Sequence, residues 1–305
     1  RMIGKPRTLW FNARSNDHIS DLVYHFHKIR PPREIRLNKR QSGDFSVDKD
    51  TIRTLRLSLG DSAPPILDTI LELRHAEKIC ETYLRRFLEY GDPEDHFALH
   101  TTFNQAVTAT GRLSSSQPIN LQNVPARGEV GAQLRGLFCA RPRKRLLVAD
   151  YAQMELRMIA HFSQDAALLS AFAEEKDLHL VTAAAFAQTT YEELRDAYEA
   201  GDPKARELRS LGKTGNFALI YGMAAPKFQR YLLVNNGYKI AKDEAQRMIN
   251  QFNATYAGMT AWKERMICEA HASGFVRTIT GRKRRLPNLF AKDRILVMEA
   301  ERQAV

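Results

Sequence analysis

The chain has 305 residues, 44% hydrophobic and 9% aromatic, a balance that can build a sizeable core or two or three subdomains around a cleft. No apolar run approaches the roughly eighteen residues of a membrane span, and Arg1-Met2-Ile3-Gly4-Lys5 lacks the apolar stretch of a secretory signal. A net charge of +11 and a pI near 9.6 suit a polyanionic partner, nucleic acid first, although a merely solvated basic surface would give the same numbers.

The first helical pattern is Ile19, Leu22, Val23, Phe26 and Ile29, stopped by Pro31-Pro32. Gln41-Ser42-Gly43-Asp44 reads as a loop. From Pro65 onward, Ile66, Ile70, Leu73, Cys80, Leu84 and Phe87 can line one side of a long helix, which Gly91-Asp92-Pro93 ends. Residues 108–125 are rich in turn formers. Residues 133–140 alternate like a strand, and Leu146-Leu147-Val148-Ala149 reads as a short buried strand with Asp150 at its end. Met154, Leu156, Ile159 and Ala160, then Leu168, Leu169 and Phe172, return to helical spacing. A carboxylate between a strand and a helix can present a metal ligand or cap the helix. The basic runs Arg141-Pro142-Arg143-Lys144-Arg145 and Arg282-Lys283-Arg284-Arg285 can face phosphates or simply solvent. Cys80, Cys139 and Cys268 have no metal-ligand spacing, and a sparse, odd set suggests reduced thiols in a cytoplasmic setting.

Two motifs carry the functional reading. Asp150-Tyr151-Ala152-Gln153-Met154-Glu155-Leu156-Arg157 resembles motif A of family A DNA polymerases, the family of bacterial DNA polymerase I. Arg209, Lys213, Phe217, Tyr221 and Gly222 resemble its motif B. The first four of these recur every four residues and so advance by about 40° per step around a helix, sharing one broad face. Thr108-Ala109-Thr110-Gly111-Arg112-Leu113-Ser114-Ser115 and Asn120-Leu121-Gln122-Asn123-Val124-Pro125 are similar to the family's primer-template segment. Lys176-Asp177-Leu178-His179 resembles its triphosphate-facing fingers segment. Gly274-Phe275-Val276-Arg277-Thr278 and Gly281-Arg282 resemble the return to the palm, and Glu301-Arg302 the start of a template-contacting helix. Phe11-Asn12 and the helix after Pro65 match the approach to the thumb more weakly.

The resemblance implies an α+β right-hand polymerase fold, with mostly helical thumb and fingers and an antiparallel-sheet palm. On that pattern residues 1–98 lead into and form the thumb, 99–164 the first part of the palm, 165–274 the fingers and 275–305 the return to the palm. Asp150 and the Tyr151 carbonyl would hold two Mg²⁺ ions, with Mn²⁺ able to substitute, because hard cations take oxygen ligands. Gln153, His179, Arg209 and Lys213 would hold the dNTP triphosphate, with Arg209 and Lys213 acting alongside Asp150 in catalysis. Phe217 and Tyr221 would pack on the nascent base pair, and Glu155 would exclude a sugar 2′-hydroxyl. Arg112, Asn120, Gln122, Asn123 and Arg302 would contact primer-template DNA.

In isolation each residue has a plainer reading. His179 could be a surface histidine, Asn120 to Asn123 a turn, and Glu155 an acid complementing a helix dipole. Gly212-Lys213-Thr214 suggests a phosphate loop, but Glu207 stands where such a loop needs glycine. The sequence departs from the family by inserting Ile119 between Pro118 and Asn120. Gly212 and Gly215 inside the motif B helix suggest a more mobile segment. The chain ends at Gln303-Ala304-Val305, before the family's motif C, and one carboxylate is a poor cage for two cations held about 4 Å apart. The chain alone is therefore expected to be inactive, with no exonuclease ahead of Phe11 and the remaining palm downstream or on a second chain. The alternatives are a catalytically incomplete module that binds primer-template or nucleotide, one part of a split enzyme, and a single-subunit RNA polymerase, the last disfavoured by Glu155 and Phe217.

Overall fold

A computed structural model describes residues 11–31, 43–126 and 128–305. The opening segment Arg1-Met2-Ile3-Gly4-Lys5 and residues Gln41 and Ser42 of the expected loop lie outside the described residues.

Ser15 caps α1 (Asn16–Ser20) by accepting from the His18 amide, and a wider π-turn carries the helix to Phe26. Ile19, Val23 and Ile29 are buried as their spacing predicts, whereas Phe26 is exposed. Asp48 caps α2 (Lys49–Leu59) through the Thr51 amide. A long helix does follow Pro65: α3 (Ile66–Lys78), a π-helical stretch to Leu84, and α4 (Arg85–Tyr90). Its buried face matches the expected one only in part: Ile70 is buried and Phe87 packs against the core. Ile79 and Tyr83 are inside, while Cys80 and Leu84 are exposed. Helical spacing admits either face, and the Tyr83 hydroxyl decides for the first by donating to the Asn123 carbonyl at 2.6 Å.

Strands β1 (Phe103–Asn104) and β2 (Ser114–Ser115) form a small antiparallel pair with Phe103 opposite Ser115. The first half of the expected strand at 133–140 is instead helical, within α5 (Gly128–Gly136), and residues 137–140 form no strand. Val130 and Leu134, four residues apart, share the face that packs on Ile79 and Tyr83, so a helical period prevails over the alternation. Leu146, Leu147 and Val148 were expected in a buried strand. They form no strand among the described residues, and Leu147 is 93% exposed. A strand exists only where another pairs with it, and no such partner lies among the described residues.

The remaining chain is helical apart from one hairpin. It contains α6 (Met154–Ser163), α7 (Ala166–Ala173), α8 (Leu178–Ala187), α9 (Tyr191–Glu199), α10 (Pro203–Leu219), α11 (Ala225–Asn236), α12 (Lys242–Thr255) and α13 (Ala257–Ser273). Asp165, Asp177, Thr190 and Asp202 cap α7, α8, α9 and α10, and Thr190 with Glu193 forms a full capping box. The hairpin pairs β3 (Phe275–Arg277) with β4 (Lys283–Arg285) in antiparallel register, and α14 (Arg294–Ala304) follows. The class is thus α+β, mostly helical with two small antiparallel sheets among the described residues, as expected.

The chain divides into two compact units. One comprises the residues up to Ile70 together with Gln153–Val305, and the other spans Leu71–Ala152. The first has a core of Leu178, Phe186, Phe228, Leu232, Phe252, Tyr256 and Met259. The second is organised around Ile79, Tyr83, Val124 and Leu134. None of the described helices is long and apolar enough to cross a membrane.

Candidate functional site

Within the larger unit, α8 and α10 pack closely enough to set the geometry of motif B. A Cβ added to Gly212 would stand 2.1 Å from the His179 carbonyl oxygen, and one on Gly215 would stand 2.6 Å from the Phe186 ring. The two glycines therefore serve close approach of the helices. This corrects the expectation that they loosen the segment: both are buried at a crossing that leaves no room for a side chain.

At one end of this crossing Asp177 performs two tasks. Its Oδ1 accepts the amides of His179 and Leu180 at the start of α8, and its Oδ2 accepts from Arg209 Nε at 2.7 Å. The Arg209 guanidinium also lies 5.2 Å from the Tyr198 ring. Arg209 is thus held by a carboxylate and an aromatic face while staying partly exposed. Lys213 lies one step further along α10, followed by Phe217, which is 47% exposed. Phe217 lies 6.3 Å from the His179 ring.

His179 is buried, not the surface residue its plainer reading suggested. Burial pulls its pKa below the usual value, Asp177 opposes the shift, and the positive charges of Arg209 and Lys213 add to it. The imidazole is therefore neutral near pH 7. α10 ends at Leu219, so Tyr221 sits in the following turn, where Gly222 takes φ 68°. The Tyr221 hydroxyl donates to Glu155 Oε2 at 3.1 Å, joining the end of motif B to the first turn of α6. Gln153, just before α6, adopts a left-handed conformation with φ 54°. Lys263 on α13 donates to the Leu219 carbonyl at 2.9 Å and so caps the C-terminus of α10. Arg302 is exposed on α14.

In the smaller unit Asp150 and Tyr151 are exposed, as is Arg112. A carboxylate beside a backbone carbonyl is the hard-oxygen donor chemistry that Mg²⁺ prefers, so these residues fit such an ion in kind. Among the described residues no group of three or more His, Cys, Asp or Glu could hold a metal. Asn120 uses its Oδ1 to accept the Gln122 amide at 3.0 Å, capping the 3₁₀ turn Leu121–Asn123. The turn reading of this segment holds, and it leaves the Gln122 and Asn123 side chains exposed. The extra residue Ile119 is buried, and its carbonyl accepts from Thr101 Oγ1 at 2.6 Å, so the insertion is absorbed into the local fold. A cavity of about 920 Å³ is lined here by Lys78, Arg86, Ser115, Gln117, Asn120 and Asn123, among others.

The structure thus brings together His179, Arg209, Lys213 and Phe217, and separately Glu155 with Tyr221. Two contributors were missed as individual residues. Asp177 was legible as a cap before an apolar run, and Asn216 as a polar residue beside Phe217 on a buried stretch of helix.

Known proteins resemble the chain in sequence and in fold. The sequence profile described as DNA polymerase family A matches residues 4–305. The chain is 36% identical over 304 residues to the thermostable DNA polymerase I of Thermus filiformis, covering 100% of this chain and 33% of that protein. It is 39% identical over 274 residues to DNA polymerase I of Synechocystis, covering 90% and 25% respectively. The POL domain of Pol1 from M. smegmatis, solved in complex with DNA primer-template and dNTP, superimposes with a TM-score of 0.78 at 30% identity, over 96% of this chain and 47% of that one. The chain belongs to DNA polymerase family A. It spans about a third of the length of the T. filiformis relative.

Proposed function

We propose that the protein is a template-directed DNA polymerase that adds dNTPs to a primer 3′-hydroxyl. The observation that carries this reading is the α8–α10 crossing. It gathers the neutral imidazole of His179, the braced guanidinium of Arg209 and the ammonium of Lys213 next to a half-exposed aromatic ring. Two cations, of which Arg209 is braced, and one neutral donor suit a triphosphate, whose charge is spread over many oxygens. Phe217 and Tyr221 offer flat surfaces for a base, and Gln153 stands beside Glu155 at the start of α6. Arg112, Gln122, Asn123 and Arg302 would contact primer-template DNA, a ligand with which the similar Pol1 domain was solved. Asn120 would contribute mainly by shaping its turn. In domain terms, residues 1–98 would lead into and form the thumb, 99–164 the first part of the palm, 165–274 the fingers and 275–305 the return to the palm.

Asp150 and the Tyr151 carbonyl would hold divalent metal, Mg²⁺ by donor type. Bound there, the metal would supply charge neutralisation and activation of the 3′-hydroxyl. Arg209 and Lys213 orient and neutralise the phosphates, and His179 donates a hydrogen bond to them. Primer extension by the intact protein and its Asp150→Ala variant tests the reading. Extension should be lost while DNA binding is kept, and extension by the variant within tenfold of wild type would overturn it.

A further inference from the structure

The role given to His179 demands a donor, and a neutral imidazole donates from only one of its two nitrogens. Which nitrogen carries the hydrogen is decided by Asn216. The Asn216 Nδ2 contacts the Leu178 carbonyl at 3.1 Å and the His179 Nδ1 at 3.0 Å. A backbone carbonyl can only accept, so the amide must turn its NH₂ toward it. The other amide atom, Oδ1, then receives the Thr182 hydroxyl at 2.6 Å. The reverse orientation would set two oxygens against each other at the Leu178 contact. Thr182 Oγ1 is in turn 2.8 Å from the Tyr256 hydroxyl, which fits Tyr256 donating to Thr182 and Thr182 donating to Asn216. Asn216, Thr182, Tyr256 and His179 are all buried, so water does not compete for these bonds.

We propose that Asn216 is a positioning residue that fixes His179 as the Nε2–H tautomer, leaving Nε2 as the donor toward the triphosphate. The inference rests on the nucleotide-binding reading of His179, but the tautomer can be measured without it. An NH₂ facing Nδ1 excludes a hydrogen there, because two N–H groups would then meet. The ring is thus held in one protonation pattern before nucleotide arrives, so binding need not reorganise it. Sequence alone offers no such assignment, since residues 179 and 216 are joined only by the packing of α8 on α10.

Long-range ¹H–¹⁵N NMR of the histidine-labelled chain near neutral pH tests this directly. Wild type should show His179 Nδ1 as an unprotonated nitrogen and Nε2 as a protonated one. Predominant Nδ1–H in wild type would overturn the proposal and needs no variant. Asn216→Asp replaces the donor with an acceptor of nearly the same shape, so Nδ1 should gain a hydrogen. If that variant folds and its His179 pattern is unchanged, the proposal also fails. Titration with dATP gives a second readout. Asn216→Asp and His179→Ala should each weaken dATP binding about tenfold, the scale of one hydrogen bond to a charged group, and the double variant should be little worse than either single one. A wild-type ring with the expected tautomer whose signals ignore saturating dATP would instead overturn the nucleotide role of His179 while leaving the tautomer assignment standing.

Discussion

The Tyr221 hydroxyl donates to Glu155 Oε2 at 3.1 Å, tying the turn after α10 to the first turn of α6. The two residues are 66 positions apart in sequence, and the bond couples the proposed base-packing ring to the proposed sugar gate. Cutting Glu155 to alanine therefore does two things: it empties space and it releases Tyr221. Incorporation of ribonucleotides relative to deoxynucleotides should rise, and the overall rate with dNTPs should fall. Single-nucleotide incorporation by the intact protein measures both, and an unchanged rNTP-to-dNTP ratio would remove Glu155 from the sugar pocket.

Phe217 is half exposed and sits one helical step beyond Lys213. Its ring has no hydroxyl with which to replace the 3′-hydroxyl interaction that a dideoxynucleotide lacks. Phe217→Tyr should narrow discrimination against ddNTPs by about tenfold or more, each tenfold step being about 1.4 kcal/mol of differential transition-state binding. Competition between dNTP and ddNTP at one template position reads this directly. An unchanged ratio would mean that Phe217 does not face the sugar.

The α8–α10 crossing gives a prediction about stability. Alanine normally favours a helix over glycine, yet a Cβ at 212 would fall 2.1 Å from the His179 carbonyl oxygen, a backbone atom that cannot swing aside. Gly212→Ala should therefore lower the unfolding free energy by about 1–3 kcal/mol, the usual cost of overpacking. Urea titration of both proteins measures it. A neutral or stabilising effect would show that the helices separate readily.

Lys263 connects stability to pH. Burial pushes its ammonium down to about 8 from an ordinary 10.5 while its Nζ caps α10 at the Leu219 carbonyl. Between these two values the unfolded chain binds more protons at this group than the native one, so its contribution to stability rises with pH. Compared with Lys263→Met, the wild type should gain stability from about pH 8 to 10 beyond any change the two proteins share. Parallel denaturation curves across that range check it, and equal pH slopes would mean that Lys263 is solvated.

Much of this protein was determined by its sequence alone. The spacing of Arg209, Lys213 and Phe217 on one helix and the resemblance to family A polymerases are both local in the chain, where a period of 3.6 residues and short motifs suffice. Three matters were decided only by tertiary structure, each because it depends on a partner distant in sequence. Tyr83 is buried in place of Leu84 because Asn123 offers its hydroxyl an acceptor. The stretch 146–149 is not a strand, since a strand is a relation between two segments and its pattern could not supply the second. Gly212, which in sequence looks like a weak point of its helix, is the point where α8 comes closest, and that approach sets Asn216 against His179. Periodicity says which residues share a face; only packing says what the face meets.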